Sequence, residues 1–318
     1  MKVYNHINDF SRLKNAVVTI GTFDGVHIGH QKIIDRLKEK AQKTGGETVI
    51  LTFFPHPRMI LHPEDSSLKM LTTIPEKIEL LEKAGIDHVI ITPFTRDFSN
   101  LSPLEYVEQV LVNQIGTKHI VVGYDHRFGK DRQGSFEDLE VFGKQFGFDV
   151  EEITEQEKNE VIVSSTRIRN ALQKSDVKTA SEFLGYHFHL TGKVIKGDQI
   201  GRKLGFPTAN LFVEETYKLI PADGVYAVKV DIFDPKSMTP AKGSSNLKGM
   251  GYIGHRPTIN GMTHNIEVNL FNFSEDIYGR MIRFHFYDFI RGDLKFNNLD
   301  ELKEQLKIDM QTTLNLLG

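Results

Sequence analysis

The 318-residue sequence contains no cysteine and no tryptophan. The lack of cysteine excludes disulfides, thiolate nucleophiles and cysteine metal sites, and it fits a reducing compartment. Apolar runs such as Ile120–Val122 are far shorter than the roughly 20 residues that a membrane-spanning helix needs. No apolar region of a secretory signal follows Met1–His6. We therefore expect a cytoplasmic protein with no membrane partner.

The sequence also has no excess of basic residues. Its 39 Lys and Arg stand against 42 Asp and Glu, a formal net charge of −3. Proteins that bind nucleic acid usually present a basic surface to the phosphates, so we expect no nucleic-acid partner. A small anionic ligand remains compatible with this charge, because a local group of donors can be positive within an acidic protein.

The first part of the chain alternates β-branched apolar runs with amphipathic helical patterns. Strands are predicted at Ala16–Ile20, Thr48–Phe53, His88–Thr92 and Lys118–Val122. Helices are predicted around Ile33–Ala41, from Pro75 to a stop at Gly85, after a Ser102 cap, and at Phe136–Phe146. Such alternation indicates an α/β domain with a parallel sheet and helices on both faces.

The pattern changes near residue 185. Predicted helices at Thr166–Gln173 and Val177–Leu184 are followed by strands at His187–Val194, Gly224–Asp231, Ile266–Phe273 and Met281–Phe289. A last amphipathic helix is predicted from about Leu299 to Leu317. We therefore predict two domains, residues 1–185 with the parallel sheet and residues 186–318 as a small antiparallel β-barrel with a C-terminal helix.

A glycine-rich segment, Gly21–His30, joins the first predicted strand to the first helix. Glycines let a backbone approach a ligand closely, and a helix N-terminus offers free N–H groups to a phosphate. His27 and His30 share a face of the first turn, where imidazoles can donate to phosphate oxygens. The same pair also fits a metal site or a simple cap. The dinucleotide fingerprint Gly-x-Gly-x-x-Gly does not occur in this turn.

Three companion segments strengthen the nucleotide interpretation. Thr52–Pro57 and Gly123–Gly129 follow predicted strands, and ligands bind at the carboxyl edge of such sheets. Ser164–Arg169 leads into a helix, where its hydroxyls can cap the helix and its arginines can bind phosphates. An ordinary capped helix with solvated arginines explains this last segment equally well.

Together the four segments resemble the nucleotidyltransferase domain of prokaryotic bifunctional riboflavin kinase/FMN adenylyltransferases, also called FAD synthetases. His27-Ile28-Gly29-His30 resembles the His-x-Gly-His motif of that superfamily, and Ser164–Arg169 resembles its Ser-Ser-Thr-x-x-Arg element. The resemblance implies a Rossmann-like domain in which the FMN phosphate attacks the α-phosphate of ATP and releases pyrophosphate. Phe54 stands where the family usually has an acidic residue, and His126 where it has a second aromatic.

The resemblance also implies roles for single residues. His27 and His30 are the catalytic candidates and hold the phosphates together with Arg169. Asp125 and the Gly21–Phe23 backbone hold adenosine, and Pro55–Pro57 lie near the flavin. The candidate ligand-binding residues of this domain are Gly21, Thr22, Phe23, Asp24, Gly29, Pro55, His56, Pro57, Gly123, Asp125, Arg127, Ser164, Ser165, Thr166 and Arg169.

A second glycine-rich stretch, Gly201–Asn210, runs as a loop into a strand. It lacks the Gly-Lys-Ser/Thr of a Walker loop, although its N–H groups can form an anion nest. Thr208 and Asn210 point to one face of a strand, and their oxygens suit Mg²⁺. A glycine-rich hairpin with Thr and Asn as turn residues is the alternative. Glu267 lies in an apolar strand, either as a general base at the barrel mouth or facing solvent.

This part of the chain resembles riboflavin kinase over nearly its whole length. Phe206–Asn210 matches that family's Pro-Thr-Ala-Asn motif, and Pro221–Tyr226, Gly254–Thr258, Tyr278–Gly279 and Phe289–Arg291 follow in the family's order. The resemblance implies transfer of a phosphoryl group from ATP to the riboflavin 5′-hydroxyl. Thr208 and Asn210 would hold Mg²⁺ and phosphate, Glu267 would be the base, and Arg291 would lie near the flavin. The candidate ligand-binding residues are Gly201, Lys203, Gly205, Pro207, Thr208, Asn210 and Arg291.

Three functions fit these motifs: a bifunctional enzyme, an enzyme with one activity, and a flavin-binding module without chemistry. A binding module does not need every phosphate-binding residue, and a single-activity enzyme can lose either Glu267 or the two histidines. All of them are present, so the bifunctional enzyme is favoured. The expected small-molecule partners are riboflavin, FMN and ATP with Mg²⁺, and we expect a monomer or weak homo-oligomer.

Overall fold

The computed structural model describes residues 1–65, 67–153, 163–197, 200–234, 239–241, 243–258 and 261–318. Side chains are described for all of these except residues 200, 203, 255–258 and 261–264. The chain consists of two compact units, Met1–Ser165 and Thr166–Gly318. We describe each unit by itself.

Six strands of the first unit form one parallel sheet within the described residues. They are β1 (Lys2–Tyr4), β2 (Ala16–Ile20), β3 (Glu47–Phe53), β4 (His88–Thr92), β5 (Thr117–Gly123) and β6 (Asp149–Ile153). Their order in the sheet is β1-β4-β3-β2-β5-β6, and each neighbouring pair is parallel. The predicted parallel sheet is confirmed, with the edge strands β1 and β6 added to the four predicted from the sequence.

Helices connect these strands. They are α1 (Ile28–Thr44), α2 (Pro57–Leu61), α3 (Ile74–Lys83), α4 (Arg96–Ser99), α5 (Pro103–Glu105), its π-helical continuation (Tyr106–Ile115) and α6 (Phe136–Phe146). Single 3₁₀ turns occur at Ile7–Asp9 and Lys130–Arg132. Thr73, Ser102 and Ser135 begin α3, α5 and α6 with reciprocal capping boxes, which explains where these helices start.

Both faces of the parallel sheet are covered. All five residues of β2 are buried, and they alternate between two apolar clusters. Ala16 and Val18 pack with the π-helical stretch on one face, whereas Val17 packs with α1 and α3 on the other. A strand buried on both faces is mainly apolar, which explains why four of the five residues of β2 are apolar.

The second unit contains a closed antiparallel barrel. Its strands are β7 (His189–Ile195), β8 (Ala209–Phe212), β9 (Gly224–Ile232), β10 (Leu247–Thr258), β11 (Gly261–Leu270) and β12 (Met281–Arg291). Its helices are α7 (Ser165–Leu172, which starts at the last residue of the first unit), α8 (Val177–Leu184), α9 (Ile200–Leu204) and α10 (Leu299–Leu317).

In the described part of the barrel, the strand order is β10-β11-β8-β7-β12-β9, which closes on itself. The C-terminal helix α10 packs on β9, β10 and β12, and the predicted barrel with its terminal helix is confirmed. The helix α8 contacts β12, and the Ala222 N–H donates to the Leu172 carbonyl at 3.1 Å. These two helices therefore pack with the barrel, whereas the sequence-based boundary at residue 185 placed them in the first domain.

Two local predictions for the second unit were wrong. The strand predicted at Ile266–Phe273 covers Gly261–Leu270 instead, because β11 pairs with the long strand β10, which the sequence did not reveal. The stretch predicted as a loop from Gly201 contains the short helix α9. Its chain turns back so tightly that the Phe206 N–H donates to the Gly201 carbonyl at 2.8 Å, and Gly205 ends the helix with a φ of 87°.

Two glycines that follow helices of the first unit provide a matched test of packing. Gly116 and Gly147 both have a positive φ, 80° and 75°. A Cβ on Gly116 would lie 2.1 Å from the Leu13 carbonyl oxygen, whereas a Cβ on Gly147 would meet nothing within 4 Å. We expect Gly147→Ala to cost only the left-handed backbone penalty, about 1–2 kcal/mol.

Gly116→Ala is expected to reduce the free energy of unfolding by clearly more, because the backbone at Leu13 must move. Urea unfolding of both variants measures the difference. Equal losses would show that the close approach at Gly116 does not constrain the fold.

Candidate active sites

The segment Gly21–His27 links β2 to α1 through an unusual backbone. Phe23 and Val26 have positive φ values of 45° and 37°, and Gly25 has 82°. A positive φ is rare for a β-branched residue and signals strain. Such a conformation persists only where the surrounding structure holds it in place, and it commonly occurs at functional sites.

The buried carboxylate of Asp24 ties this segment to the chain before α3. It accepts hydrogen bonds from the Leu71 N–H at 2.9 and 3.0 Å and from the Thr72 N–H at 3.2 Å. The Thr72 hydroxyl in turn accepts from the Gly25 N–H at 3.2 Å. The Asp24 side chain is only 1% exposed, so it anchors the segment to the interior of the unit.

Two backbone carbonyls of the segment are held from three other parts of the chain. The Thr22 carbonyl accepts from the Lys77 ammonium at 2.7 Å and from the Thr52 hydroxyl at 3.2 Å. The Asp24 carbonyl accepts from the Ser165 hydroxyl at 3.0 Å. Residues of β3, α3 and the start of α7 therefore maintain the strained conformation together.

The two predicted histidines lie against each other at the start of α1. His27 is the N-cap, and its Nδ1 accepts from the His30 N–H at 3.4 Å. The two rings stack with their centroids 3.7 Å apart and their planes 14° apart. Gly29 makes room for this arrangement, because a Cβ there would lie 3.2 Å from the His27 Nδ1. The stacked pair thus stands where a helix N-terminus favours an anion.

Burial lowers the pKa of His30 well below its usual value, and the charges of His27 and Lys77 lower it further. His30 is therefore neutral at pH 7, and its ring can stack on His27 without charge repulsion. The His30 Nδ1 is buried and has no hydrogen-bond partner among the described residues. A buried ring nitrogen without a partner is costly unless a ligand satisfies it.

The companion segments of this unit reach the same edge of the sheet. β2 lies between β3 and β5, so the residues that follow these three strands share its carboxyl edge. Within Pro55–Pro57, His56 caps α2 with its side chain. Within Gly123–Arg127, both Asp125 and Arg127 are exposed. His56 therefore follows the strand on one side of β2, and Asp125 and Arg127 follow the strand on its other side.

A continuous aromatic cluster lies behind these segments. Neighbouring rings have centroids 5.3 to 5.8 Å apart. Its members end β3, follow β4 and β5 or begin the π-helical stretch: Phe53, Phe94, Phe98, Tyr106 and Phe128. His126 stacks on Phe128 at 5.9 Å. Burial, helped by the charge of Arg132 and opposed by that of Asp125, lowers the pKa of His126 to about 4.

The Ser164–Arg169 segment begins α7, as its sequence predicted. Ser165 is the first residue of the helix, and Thr166 and Arg169 lie within it. The Ser165 hydroxyl is committed to the Asp24 carbonyl of the strained segment. The serine therefore fixes backbone geometry in addition to starting a helix.

In the barrel, Glu267 is buried, so the solvent-facing alternative is excluded. Its side chain is 7% exposed. The Thr208 hydroxyl donates to Glu267 Oε2 at 2.8 Å, and the Asn265 amide donates to Oε1 at 2.9 Å. These two hydrogen bonds hold the carboxylate in one orientation.

Strand register brings Asn210 to the same place. Asn210 on β8 lies directly opposite Glu267 on β11, which puts both side chains on one face. Gly197 leaves space for the amide, since a Cβ there would lie 2.3 Å from the Asn210 Nδ2. The Asn269 amide donates to the Pro207 carbonyl at 2.7 Å and fixes the backbone next to Thr208. The turn-residue alternative for Thr208 and Asn210 is therefore wrong.

A cavity of about 370 Å³ opens beside Thr208. It is lined by Val194, Arg202, Pro207, Thr208, Ala209, Val268, Leu270 and the segment Phe273–Tyr278. Gly201 lies within α9 and Gly205 follows its last residue. The Lys203 side chain lies outside the described residues, as do those of 255–258. A cavity of this size is typical of small-ligand sites.

Comparisons with known proteins agree with this arrangement. Residues 9–167 match the family model described as FAD synthetase, and residues 184–317 match the one described as riboflavin kinase. A bifunctional riboflavin kinase/FMN adenylyltransferase of Haemophilus influenzae is 38% identical over 300 residues, covering 94% of each chain. The Escherichia coli K12 protein of that description is 35% identical over 320 residues, covering 100% of this chain and 98% of its own.

The chain belongs to the bifunctional riboflavin kinase/FMN adenylyltransferase family. Its fold is also that of a solved structure described as a macrolide-efflux protein from Streptococcus pneumoniae. That structure has a TM-score of 0.85 and 31% identity, with 99% of this chain and 98% of that chain covered. Over the described residues, the helices include none with the length and apolar character to cross a bilayer.

Several residues that shape the two candidate sites were not predicted from the sequence. Lys77 carried a usable signal, because it lies on the apolar stripe of α3 with Ile74, Ile78 and Leu81. The aromatic cluster had little signal in the sequence, because its rings come from separate parts of the chain and meet only in the folded unit. Arg202 was quoted within its motif, but only the cavity shows that it lines a site.

Arg291 lies in a buried ion pair. Its guanidinium contacts Asp309 of α10 through Nε at 3.0 and 3.1 Å and through Nη2 at 2.7 Å. Asp309 is 1% exposed and also accepts from the Gln305 amide at 2.8 Å. This pair joins the end of β12 to the C-terminal helix, whereas the position of Arg291 near the flavin stays a prediction.

Breaking this pair should destabilise the barrel. Asp309→Ala leaves Arg291 without its partner, and removing one member of a buried pair costs about 3–5 kcal/mol. Glu304→Ala on the same helix is the control, because Glu304 pairs with Lys307 at the exposed surface and should change stability little. Urea unfolding of the full chain compares them. Equal stability of the two variants would show that the Arg291–Asp309 pair does not hold α10 on the barrel.

Proposed function

We propose that the second unit phosphorylates riboflavin to FMN and that the first unit transfers the adenylyl group of ATP to FMN, giving FAD and pyrophosphate. The observation that carries this proposal is that one chain holds both the stacked His27–His30 pair and the Thr208–Glu267 hydrogen bond. Incubation with riboflavin, ATP and Mg²⁺, followed by chromatography of the flavins, tests it. FAD requires both activities, FMN alone leaves the kinase, and no conversion leaves a binding module.

For adenylyl transfer, the chain supplies positioning and charge stabilisation. An FMN phosphate oxygen forms a bond to the α-phosphorus of ATP, and the bond to the pyrophosphate oxygen breaks. The N–H groups at the start of α1 and the imidazoles of His27 and His30 face the place where negative charge grows. Arg169 and the Gly21–Phe23 backbone are assigned to the phosphates and adenosine on the strength of the motifs. The aromatic cluster supports placing the flavin ring nearby, because flat rings stack well on it.

For phosphoryl transfer, Glu267 is the proposed base. It takes the proton of the riboflavin 5′-hydroxyl as that oxygen forms a bond to the γ-phosphorus of ATP, and ADP leaves. The hydrogen bonds from Thr208 and Asn265 orient the carboxylate for this transfer. Most of the rate of such a reaction comes from positioning of the reactants.

The residues around Glu267 fit Mg²⁺. Thr208, Asn210 and Glu267 present hydroxyl, amide and carboxylate oxygens on one face, the hard donors that this ion prefers. In the described part of the chain, no group of three or more His, Asp or Glu could hold a metal. Mg²⁺ would therefore take only some of its ligands from Thr208 and Asn210, and it would neutralise phosphate charge when bound.

The location and assembly of the chain complete the proposal. The cysteine-free sequence supports a cytoplasmic enzyme. We propose a monomer or weak homo-oligomer that acts on small molecules.

Removing the proposed base should reduce FMN formation and leave FAD formation from FMN unchanged. Glu267→Gln keeps the size of the side chain but cannot accept the proton, so FMN formation should fall about 10²–10⁴-fold. Conversion of supplied FMN to FAD by the first unit should be unchanged, and urea unfolding of the full chain shows whether the barrel is still folded. Glu214→Gln, at an exposed position of the same unit, is the control. FMN formation at the normal rate by Glu267→Gln would exclude the base assignment.

Removing a histidine of the stacked pair should do the opposite. With riboflavin and ATP, His30→Ala should accumulate FMN while FAD formation falls about 10²–10³-fold, because one donor to the phosphates is lost. His6→Ala is the control, because His6 is a partly exposed histidine of the same unit whose ring accepts from the Asn8 N–H of a 3₁₀ turn. The initial rates of both products are followed by chromatography. Normal FAD formation by His30→Ala would contradict the phosphate-binding role.

A further inference from the structure

A buried lysine contacts the strained segment Gly21–His27. Lys77 is 1% exposed and belongs to α3, where it takes a position on the apolar stripe. An ammonium group is rarely buried without a specific partner, because it loses its hydration. Methionine or leucine would fill this place without that penalty. The charge therefore needs an explanation beyond packing.

The contact of Lys77 is with the backbone of the candidate site. Its Nζ donates to the Thr22 carbonyl at 2.7 Å, two residues after β2 ends. That carbonyl belongs to the peptide unit before Phe23, the first residue of the segment with a positive φ. Of the two side chains that donate to this carbonyl, only Lys77 carries a charge. Lys77 thus acts at the point where the chain leaves the sheet and turns toward His27.

Nearby charged or titratable groups influence the pKa values of both Lys77 and His30. The charge of Asp24 favours the protonated form of Lys77 and opposes the effect of burial, which lowers its pKa. The charged or titratable groups that act on His30 are His27 from the cap of α1 and Lys77 from α3. Glu76, next to Lys77 on α3, is committed to the capping box with Thr73.

We propose that Lys77 is a positioning residue for adenylyl transfer, which holds the Thr22 carbonyl in place and whose charge acts on the His27–His30 pair. This inference rests on the proposed function of the first unit. A triphosphate that arrives at the histidine pair brings negative charge, which opposes the effect of Lys77 on His30. The stacked pair then meets the phosphates already ordered, without reorganisation in the reaction itself.

The variants separate this role from simple charge balance. Lys77→Met removes the charge and the hydrogen bond at similar volume. Lys77→Met combined with Asp24→Asn also removes the buried carboxylate charge that favours protonated Lys77, so these two opposite charges are lost together. Lys83→Met is the control, because Lys83 lies on the same helix but is exposed and paired with Glu79.

FAD formation from FMN and ATP is measured for each variant, together with FMN formation from riboflavin by the second unit. We expect Lys77→Met to lose about 10²-fold in kcat/KM for ATP, the loss that a displacement of about 1 Å can cause. FMN formation should be unchanged. The double variant should stay impaired, and Lys83→Met should match the unmodified chain.

A spectroscopic measurement adds a readout that a purely structural role would not move. Histidine ring signals of the unmodified chain, Lys77→Met and Lys83→Met are followed by NMR against pH, and His30→Ala assigns the His30 signal. Lys77→Met should raise the pKa of His30 toward its usual value, since one cause of its lowering is removed. In Lys83→Met the pKa of His30 should stay low.

Three outcomes would overturn the proposal. They are FAD formation by Lys77→Met within about threefold of the unmodified chain, full recovery in the double variant, and an unchanged pKa of His30 in Lys77→Met. If Lys77→Met does not fold, the double variant decides by the same criteria. Failure of the unmodified chain to make FAD would instead reject the proposed function, so the two failures are distinguishable.

Discussion

The first unit depends on a backbone segment that cannot hold its own shape. Between β2 and α1 the chain passes through positive φ values at Phe23 and Val26, which an isolated peptide would avoid. Buried polar groups from distant parts of the chain compensate, above all Asp24 and Lys77. This segment also caps α1 and orders the two histidines. Loss of any one of these anchoring hydrogen bonds is therefore expected to disturb the N-terminus of α1. The rigid sheet beneath supplies the frame for these anchors.

The barrel reaches a comparable precision by another route. Its site depends on strand register, since Asn210 faces Glu267 only in one pairing of β8 with β11. A shift by one residue would turn Glu267 to the opposite face. Hydrogen bonds from Thr208 and Asn265 then fix the carboxylate within that register. Backbone strain positions the groups of one site, and sheet pairing positions those of the other.

Elements with strong local patterns could be predicted from the sequence. Ala16–Ile20, Phe136–Phe146 and Leu299–Leu317 have the predicted bounds, because periodicity and capping act within a few residues. The long strand β10 is rich in glycine and shows no clear alternation, so its pairing with β9 and β11 became visible only in the fold. The motif histidines were found for the same local reason. Lys77 was not, because a lysine on a helix usually faces water.

The neighbouring strands of the barrel are paired over unequal lengths. The strand β8 has only four residues, and among those described it meets β11 at Asn210–Glu267 and Ala209–Val268 alone. By contrast, β9 and β10 are joined over a much longer stretch. The free energy of local opening increases with the number of protected backbone hydrogen bonds. The amide protons where β8 pairs with β11 should therefore exchange first. Opening of the barrel is therefore expected first beside Glu267, the proposed base, rather than along the longer strand pairs.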